Sequence, residues 1–591
     1  MSSDLNARQL EVAMSRARRT MAHAGAGTGK TAASVGWVCG LLQDGVAPEK
    51  ILMLTFTRKA ALEMTARAVA RAGGHAKKIT GGTYHAVASQ LIRADSSGFG
   101  ISHSKISLLD DNDARDLWKS AARVCGIHGA EPAPSTLAAF VSSLRNRDQN
   151  VKMVLQKEFS ENAVSMFDAY EAIKRKGGLL DYDDLLLLWR QRLSTDPSYR
   201  EELRNRFKYI LVDEMQDNNV LQYDIVSHLN PEHLLVVGDI NQSIYGFRAA
   251  QPALMVRFRQ ENPDANVVQL DINYRSAQAI LDVANYVIKD SESPITLKSC
   301  SSRSGVVRHI CFSTAAAEAQ SVFEDIRSLR TSGTPLSDIA VLARGSRALL
   351  LLEMELRKGR IAYRKYGGQS ISDAAEVKDF VSFLRLVHNI KDRPALIRAA
   401  TLFSGVGEIG AERAADANDI LAALPGQSKQ VGEWVRYMAG LELPCALEFL
   451  QKQMLPLFKR NYPDNYAERM ATISNLVREF SEPGVSLTDV LDAFITERFD
   501  SEHPENTLTL STIHSAKGLE WTRVYLIGCG SMQIPHPRAM TRDELSEEKR
   551  LLYVAVTRAK SHLTISFPSI YNKSTQKACG FLPDTTKWLS V

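Results

Sequence analysis

The chain has 591 residues, of which 45% are hydrophobic and 24% charged, and its formal net charge is +5. This length is too great for one hydrophobic core, so we expect roughly three to five domains. The composition is typical of a globular protein and excludes a disordered chain. No apolar run is long enough to span a bilayer. The N-terminus lacks the apolar core of a signal peptide, so we do not expect secretion.

The 7 cysteines are scattered, without the paired spacing of a zinc site or of a disulfide framework. This usage suits a reducing compartment. The small positive net charge is only a weak indication of a nucleic-acid partner, since many enzymes with neutral substrates share it.

Near the N-terminus lies a glycine-rich stretch, Ala24-Gly25-Ala26-Gly27-Thr28-Gly29-Lys30-Thr31. Such a loop brings backbone N–H groups close to phosphate oxygens, while Lys30 can reach the β- and γ-phosphates and Thr31 can ligate Mg²⁺. We expect a strand over 20–23 before it and a helix over 31–39 after it. Because Ala24 replaces the first glycine of the common pattern, a glycine-rich turn before an ordinary helix stays open on this stretch alone.

A second nucleotide element is predicted at 209–217, where an apolar strand ends in the adjacent acids Asp213 and Glu214. At the strand tip, Asp213 can hold Mg²⁺, usually through water, and Glu214 can orient or deprotonate an attacking water. The alternative is a solvated acidic turn. The glycine-rich loop upstream favours the catalytic interpretation.

Apolar β-branched runs alternate with helical stretches, which predicts parallel sheets in an α/β protein. The predicted buried strands form two groups, before and after about residue 270: 51–56, 209–213, 234–238 and 267–270, then 306–312, 339–343, 508–513, 524–528 and 563–567. Stretches with helical periodicity, about 107–178 and 393–502, interrupt the two groups. We therefore predict two parallel-sheet domains, each with a mainly helical insertion.

Eight short segments along the chain are not explained by helix or strand periodicity alone. They are LNARQ (5–9), LTFTRKAA (54–61), GTYH (82–85), DEMQD (213–217), VGDINQSIYGFRA (237–249), LDINYRS (270–276), TIHSAKGLEW (512–521) and EEKRLLYVAVTRA (547–559). In composition and order these segments resemble the motifs of the UvrD/Rep family of superfamily-one DNA helicases. The resemblance implies two RecA-like P-loop domains that flank an ATP cleft, and the family itself uses the Ala24 form of the loop.

The resemblance also implies roles in ATP hydrolysis. Phosphoryl transfer needs positive charge around the transferred group and a positioned water. Lys30 would supply charge from the loop, and Arg275 and Arg558 would act as arginine fingers. Gln242 and Arg248 would sense the γ-phosphate. Taken singly, each arginine could equally be part of a structural ion pair.

Three further residues are assigned to the nucleoside by the resemblance. Tyr274 would stack on the adenine, and Gln9 would read its amino edge. Glu520 would accept a hydrogen bond from a ribose hydroxyl. The alternative for Tyr274 is a core tyrosine. The expected ligands are ATP and Mg²⁺.

Single-stranded DNA is expected on another face, where aromatic platforms alternate with phosphate-binding donors. The platforms would be Phe56, Tyr245 and Phe247, although each aromatic taken singly is more readily a core residue. Phe247 stands where the family often has Trp. The expected donors are Thr55, Arg58, Thr83, His85, Arg344 and His514.

The motif order divides the chain into domains. The first RecA-like domain would comprise 1–105 and 180–268, with a helical insertion at 106–179. The second would comprise 269–390 and 507–591, with a helical insertion at 391–506 that is compact for this family. The acids at 181–184 could look catalytic, but we predict that they cap the start of a helix.

We therefore expect an ATP-driven DNA helicase that moves on single strands and unwinds duplexes in repair, recombination or replication. The resemblance implies 3′→5′ polarity. One alternative is a translocase that strips proteins, or the motor subunit of a repair or defence complex, without strong unwinding. A non-catalytic ATP-gated DNA clamp is another. We expect a cytoplasmic, nucleoid-associated protein of bacterial or phage type. Its partners would be single strands, junctions with duplex, and repair, replication or defence proteins, and a monomer is plausible.

Overall fold

A computed structural model describes residues 5–101, 107–109, 111–127, 133–367, 374–415, 423–463, 466–481, 486–487, 490–491, 506–571, 574–583 and 589–590. The chain divides into two compact units. The first comprises Met1–Val307, Pro537–His562 and Phe581–Asp584. The second comprises Arg308–His536, Leu563–Gly580 and Thr585–Val591.

The α-helices of the described residues are numbered in chain order. They are α1 Ala7–Met14, α2 Lys30–Gln43, α3 Arg58–Ala72, α4 Tyr84–Ala94, α5 Asp111–Val124, α6 Pro134–Asn146, α7 Val151–Glu158, α8 Glu161–Gly177, α9 Tyr182–Thr195, α10 Pro197–Arg206, α11 Val220–Leu229, α12 Ala253–Glu261, α13 Gln278–Val287, α14 Ala315–Thr331, α15 Leu350–Lys358, α16 Ala375–His388, α17 Arg393–Thr401, α18 Glu408–Ala415, α19 Lys429–Ala439, α20 Leu443–Asn461, α21 Tyr466–Phe480 and α22 Arg542–Val556. None of these helices is both long enough and apolar enough to cross a membrane.

The strands are numbered in the same way. They are β1 Arg19–Ala24, β2 Ile51–Thr55, β3 Thr80–Thr83, β4 Ser107–Leu108, β5 Leu179–Leu180, β6 Tyr209–Val212, β7 His233–Gly238, β8 Asn266–Leu270, β9 Ile272–Asn273, β10 Lys298–Ser299, β11 Val306–Thr314, β12 Ile339–Ala343, β13 Tyr363–Tyr366, β14 Leu508–Thr512, β15 Trp521–Leu526, β16 Ala559–Tyr571, β17 Ser574–Thr575 and β18 Leu589–Ser590.

The first unit contains a six-stranded sheet in the order β3-β2-β6-β7-β1-β8, with every neighbouring pair parallel. Successive residues of β2 face opposite sides, as strand geometry requires. Leu52 and Leu54 belong to the core that holds Trp189 of α9. Ile51 and Met53 belong to the core that holds Trp37 of α2. Helices therefore cover both faces, which is typical of parallel sheets.

Helices α5 to α8 form a separate small core in the first unit. Trp118 of α5 stacks on Tyr170 of α8 with ring centroids 4.5 Å apart. Beside them the Lys174 ammonium donates to Asp181 over 2.7 Å and to Asp184 over 2.8 Å. Asp181 is also the N-cap of α9, in a reciprocal capping box with Asp184. The prediction of a capped helix start is confirmed, because these acids neutralise buried cations and satisfy backbone N–H groups.

The second unit contains a sheet in the order β13-β14-β12-β15-β16-β11-β18, with β17 antiparallel to β16. The four strands from β13 to β15 pair in parallel. Helices α16 to α21 surround a core of their own that includes Phe383, Leu447 and Phe458. The predicted α/β class with parallel sheets and helical stretches is confirmed.

All nine predicted strands are present, and the ends of most are shifted by a few residues. Burial was wrongly predicted for two of them, since β8 has two buried residues of five and β11 has one of nine. Strand β8 lies at an edge of its sheet and β11 lies next to one, so fewer elements cover them. The sequence analysis did not predict β3 and β13. Each lies at an edge of its sheet, and their sequences are TGGT and YRKY. Glycine and charged residues have low strand propensity, so these edge strands lack the apolar signal of a central strand.

Glu318 of α14 is a buried carboxyl whose ionisation opposes folding. Its Oε1 accepts hydrogen bonds from Ser566 Oγ at 2.6 Å and Gly528 N at 3.1 Å. Burial raises the pKa of Glu318 from 4.5 to about 7. Because the folded pKa exceeds the unfolded value, the stability that this group contributes is complete below about pH 4.5 and is lost as the pH rises to about 7.

We predict that Glu318→Gln, which stays neutral, gains stability relative to the parent as the pH rises from about 5 to about 8. The gain should reach up to ~3 kcal/mol. Thermal unfolding at the two pH values measures it. Glu324→Gln on the exposed side of the same helix is the matched control. An equal difference in melting temperature at both pH values would contradict the prediction.

Candidate functional site

The carboxyl ends of the parallel strands in the first unit bring the predicted nucleotide segments to one edge of the sheet. The phosphate loop, residues 24–31, follows β1, and the acidic segment, residues 213–217, follows β6. The glutamine segment, residues 239–247, follows β7. Ligands of open α/β sheets bind at this edge.

In the phosphate loop, four successive carbonyl groups accept hydrogen bonds from the protein. Thr28 Oγ1 donates to Gly25 O over 2.8 Å, and Asn273 Nδ2 donates to Ala26 O over 2.6 Å. Tyr274 N donates to Gly27 O over 2.9 Å, and Gln9 Nε2 donates to Thr28 O over 2.8 Å. These bonds fix the peptide planes of the loop before any phosphate binds.

Two glycines give the loop its shape. Gly27 has φ +67° and Gly29 has φ +78°, the left-handed region that glycine adopts without strain. Gly29 is also the N-cap of α2, so Lys30 begins the helix. The loop therefore lies at the helix N-terminus, where backbone N–H groups and the helix dipole favour anions.

The acidic segment faces Lys30. Lys30 Nζ lies 3.5 Å from Glu214 Oε1. Asp213 is buried, and its Oδ1 has no hydrogen-bond partner among the described residues. Burial, and then the negative charge of Glu214, raise the pKa of Asp213 to about 7. Two adjacent acids are thus held at a strand tip, with the Lys30 ammonium beside Glu214.

The glutamine segment is connected to the acidic segment through Gln216. Gln216 Nε2 donates to Glu214 Oε2, and its Oε1 accepts from Asp239 N at 2.9 Å. Asp239 Oδ2 in turn accepts from Gln242 Nε2 at 2.6 Å. Glu214 has φ +53°, a strained conformation for a residue other than glycine. The structure therefore links Glu214 to Gln242 through two intermediate side chains.

The two predicted arginine fingers lie near each other in the first unit. Arg275 Nη1 donates to Thr557 O over 3.2 Å. Arg558, one residue further along, is 1% exposed, and its Nη2 donates to Thr557 Oγ1 over 3.2 Å. Arg275 also adjoins the loop, since a Cβ on Gly27 would come within 2.9 Å of Arg275 Cβ. The side chain of Arg248 lies outside the described residues.

The residues predicted to hold the nucleoside are partly assembled. Tyr274 is 43% exposed, and its hydroxyl accepts from Asn6 Nδ2 at 2.6 Å. Gln9 is buried, and its Oε1 accepts from Asn6 N at 2.9 Å. Gln9 and Tyr274 are therefore joined through Asn6 beside the phosphate loop. Glu520 is an exposed residue of the second unit, immediately before β15.

The three predicted platform residues lie together. The rings of Phe56 and Tyr245 stack with centroids 4.9 Å apart and an interplanar angle of 19°. Phe247 lies edge-on to Tyr245 at 5.9 Å and is 65% exposed. The exposed Phe247 ring offers a face on which a planar group can stack.

The predicted donors of the first unit differ in their exposure. Arg58 is exposed at the start of α3, and Thr83 caps α4 through Ala86 N. Thr55 is 1% exposed and its hydroxyl donates to Thr57 O over 3.0 Å, so it lies apart from the surface. Burial lowers the pKa of His85 to about 4, so its imidazole is neutral at physiological pH.

Next to His85 lies Tyr182, an aromatic residue that the sequence analysis did not assign to DNA. The two rings meet edge-on with centroids 5.9 Å apart, and Tyr182 is 45% exposed. Tyr182 directly follows Asp181, which the sequence analysis assigned to a helix start, so the exposure of this ring was not predicted.

Arg344 and His514 belong to the second unit. Arg344 follows β12 and His514 follows β14, and these strands are parallel neighbours in which Ala343 pairs with Thr512. Both side chains are half-buried at the same edge of that sheet.

The chain matches two known protein-family models. It matches the model of the UvrD/REP helicase N-terminal domain over residues 5–263. It matches the model of the UvrD-like helicase C-terminal domain over residues 268–423 and 429–569.

Individual relatives agree with the family models. The ATP-dependent DNA helicase PcrA of Staphylococcus aureus (strain Mu50) is 30% identical over 606 residues, covering 95% of this chain and 83% of the relative. The ATP-dependent DNA helicase PcrA of Staphylococcus epidermidis (strain ATCC 12228) is 31% identical over 607 residues, with the same coverage of 95% and 83%.

We predict that Gly27→Ala weakens ATP binding by at least about tenfold. A Cβ there would lie 2.6 Å from Asn273 Nδ2 in a left-handed backbone, so the loop must shift. Titration with a fluorescent ATP analogue measures the affinity. Gly45→Ala is the matched control, since Gly45 has φ +82° with nothing within 4 Å of its added Cβ. Equal affinities of the two variants would contradict the role of the loop geometry.

Proposed function

Because the chain belongs to the UvrD/Rep helicase family and is an ATP-dependent DNA helicase of the PcrA/UvrD type, we propose that it is a motor that moves 3′→5′ on single-stranded DNA. It would unwind duplexes at single-strand junctions during repair, recombination or replication. The main observation behind the proposal is the phosphate loop. Hydrogen bonds to four of its carbonyl groups hold its backbone next to Lys30 and Glu214.

ATP binding begins at this loop. The phosphates of ATP would contact the backbone N–H groups of residues 27–31 and the Lys30 ammonium. Lys30 Nζ is buried and makes no hydrogen bond among the described residues, although it lies 3.5 Å from Glu214. The ammonium group is thus available to a phosphate. Tyr274 would stack on the adenine, with Gln9 beside it.

Mg²⁺ fits the same site. Asp213 Oδ1 is a buried carboxylate oxygen without a hydrogen-bond partner among the described residues, and carboxylate oxygens are preferred ligands of Mg²⁺. Asp213 and the Thr31 hydroxyl would hold the ion. When bound, Mg²⁺ would neutralise charge on the phosphate oxygens.

Hydrolysis requires a positioned water and charge stabilisation of the transferred phosphoryl group. Glu214 would accept a proton from the water, since its carboxylate is held by Gln216 and lies near Lys30. Gln242 would sense the γ-phosphate, and Arg275 and Arg558 would stabilise its developing charge. We assign the γ-phosphate contact of Arg248 from family resemblance alone.

DNA would bind on the surface formed by Phe56, Tyr245 and Phe247. The exposed Phe247 offers a stacking face for one base, and Arg58 offers a phosphate contact. Thr83 and the neutral His85 would donate hydrogen bonds nearby, with Tyr182 as an additional ring. Arg344 and His514 would supply the corresponding contacts in the second unit, where Glu520 would bind the ribose.

We also propose domain boundaries that follow the family motifs and differ from the two compact units, which assign residues up to 307 and 537–562 to the first unit. Residues 1–105 and 180–268 would form the first RecA-like domain and 269–390 with 507–591 the second, each interrupted by its helical insertion. A DNA substrate would place the protein at the nucleoid, with repair, replication or defence proteins as partners.

We predict that Glu214→Gln binds ATP but hydrolyses it at least about 10²-fold more slowly, because the amide cannot accept the proton. Phosphate release with single-stranded DNA measures turnover, and a fluorescent analogue measures binding. The exposed Glu202→Gln is the matched control and should turn over normally. Fast turnover of Glu214→Gln would remove this residue from the role of general base.

A second prediction concerns polarity. Matched duplexes with a 3′ or a 5′ single-stranded tail should differ, and ATP should drive strand separation only of the 3′-tailed one. Glu214→Gln is the control for ATP dependence. Preferential unwinding of the 5′-tailed duplex would contradict the proposed direction. Fast DNA-stimulated hydrolysis without unwinding of either substrate would favour a protein-stripping translocase instead.

A further inference from the structure

Helices α5 to α8, called the α5–α8 bundle below, meet the rest of the first unit at the end of α6. Three polar residues at that end, Arg145, Asn146 and Asp148, pair with residues beyond the bundle. Asp148 accepts two hydrogen bonds from the guanidinium of Arg190 on α9, at 3.0 Å and 2.7 Å. A two-pronged pair of this kind fixes the direction of approach as well as the distance.

Buried charges hold the bundle against α9. Arg145 is 7% exposed, and it donates to Glu171 Oε1 over 2.6 Å and to Asp181 Oδ2 over 3.4 Å. Asp181 is the N-cap of α9, and Lys174 of the bundle also donates to it. Separation of the bundle from α9 would leave buried charges without these partners, which is strongly unfavourable. The bundle is therefore held in one orientation.

The side-chain amide of Asn146 is fully used at this contact. Its Nδ2 donates to Ser142 O over 2.8 Å and to Asp183 Oδ1 over 2.7 Å. Its Oδ1 accepts from Asn219 Nδ2 at 2.6 Å. A carboxylate could not donate these bonds, and an apolar side chain could make none of the three. The position therefore requires an amide.

Asn219 begins the helix that follows the acidic segment. It is the buried N-cap of α11, where its Oδ1 accepts from Gln222 N at 2.9 Å and its N–H donates to Gln222 Oε1 over 3.0 Å. The oxygen of the Asn219 amide thus serves the cap, and the nitrogen serves Asn146. Without Asn146, the buried Nδ2 would lose this partner, and its desolvation would favour a different side-chain position.

A short turn joins Asn219 to Glu214. Asp217 N donates to Glu214 O over 2.9 Å, and Asn218 N donates to Met215 O over 3.1 Å. Glu214 has φ +53°, and a strained conformation of this kind persists only where the surrounding structure holds it. Strand β6 holds one end of the acidic segment, and the cap of α11 holds the other. The position of Asn219 therefore bears on that of the Glu214 carboxylate.

We propose that Asn146 is a positioning residue for ATP hydrolysis, which acts through Asn219 on the acidic segment. The α5–α8 bundle thereby helps to hold the Glu214 carboxylate where it accepts a proton from the attacking water. The inference rests on the proposed function of Glu214 as general base. Because the phosphates bind at the loop, loss of Asn146 lowers kcat and leaves KM for ATP nearly unchanged.

The test measures kcat and KM for DNA-stimulated ATP hydrolysis by Asn146→Ala and Asn219→Ser, at a temperature well below unfolding. Serine is also a good N-cap residue, but it lacks the Nδ2 group that reaches Asn146. Each variant should lower kcat by about threefold to tenfold, the effect of one hydrogen bond, and change KM by less than about twofold. The double variant should lose no more than either single one, because both remove the same bond.

Asn150→Ala is the matched control within the bundle. Asn150 caps α7 by accepting from Met153 N at 3.1 Å. Loss of this cap should lower the melting temperature and leave kcat at the parent value.

Unchanged kcat in Asn146→Ala and Asn219→Ser, with melting temperatures that fall as in Asn150→Ala, would make the contact merely structural and overturn the proposal. An equal loss of kcat in Asn150→Ala would overturn it as well, as would losses that multiply in the double variant. Asn219→Ser retains a cap and keeps the proposal testable if Asn146→Ala does not fold.

Glu214→Gln separates this inference from the proposed function. Fast hydrolysis by Glu214→Gln would reject the general base itself. Slow hydrolysis by Glu214→Gln, together with normal turnover of Asn146→Ala, would reject only the positioning role of Asn146.

Discussion

The charges at the end of β6 are the constraint on which the rest of the site depends. Asp213 and Glu214 are adjacent, Asp213 is buried, and the Lys30 ammonium lies 3.5 Å from Glu214. Burying charge without full compensation is unfavourable, which is why the pKa of Asp213 is raised to about 7. A site of this kind is completed by a ligand that brings both a cation and phosphate oxygens.

The surrounding residues hold those charges by hydrogen bonds rather than by apolar packing. Gln216 donates to Glu214 and accepts from the Asp239 N–H group, and the Asp239 carboxylate accepts from Gln242. Asn273 satisfies three partners at once, because it donates to Ala26 O and accepts from the N–H groups of Arg275 and Ser276. Hydrogen bonds therefore hold the phosphate loop, the acidic segment and the glutamine segment in the first unit.

The sequence predicted the central strands, the glycine-rich phosphate loop between a strand and a helix, and the capped start of α9, because each of these depends on neighbouring residues. It did not predict as members of the site Asn273, Gln216 or Tyr553, whose hydroxyl accepts from Ala26 N at 3.2 Å. Asn273 and Ala26 are 247 positions apart, and Ala26 and Tyr553 are 527 positions apart. Contacts at such separations depend on the order of strands in the sheet, which local patterns do not specify. The edge strands β3 and β13 were missed for a different reason, their low apolar content.

The most direct test of the account is a crystal structure of the chain with a non-hydrolysable ATP analogue, Mg²⁺ and a single-stranded oligonucleotide. The account predicts that the phosphates lie in the loop of residues 24–31, and that Lys30 Nζ leaves Glu214 for a phosphate oxygen. It also predicts that a base stacks on Phe247. Phosphates bound elsewhere, with the Lys30–Glu214 separation still about 3.5 Å, would contradict it.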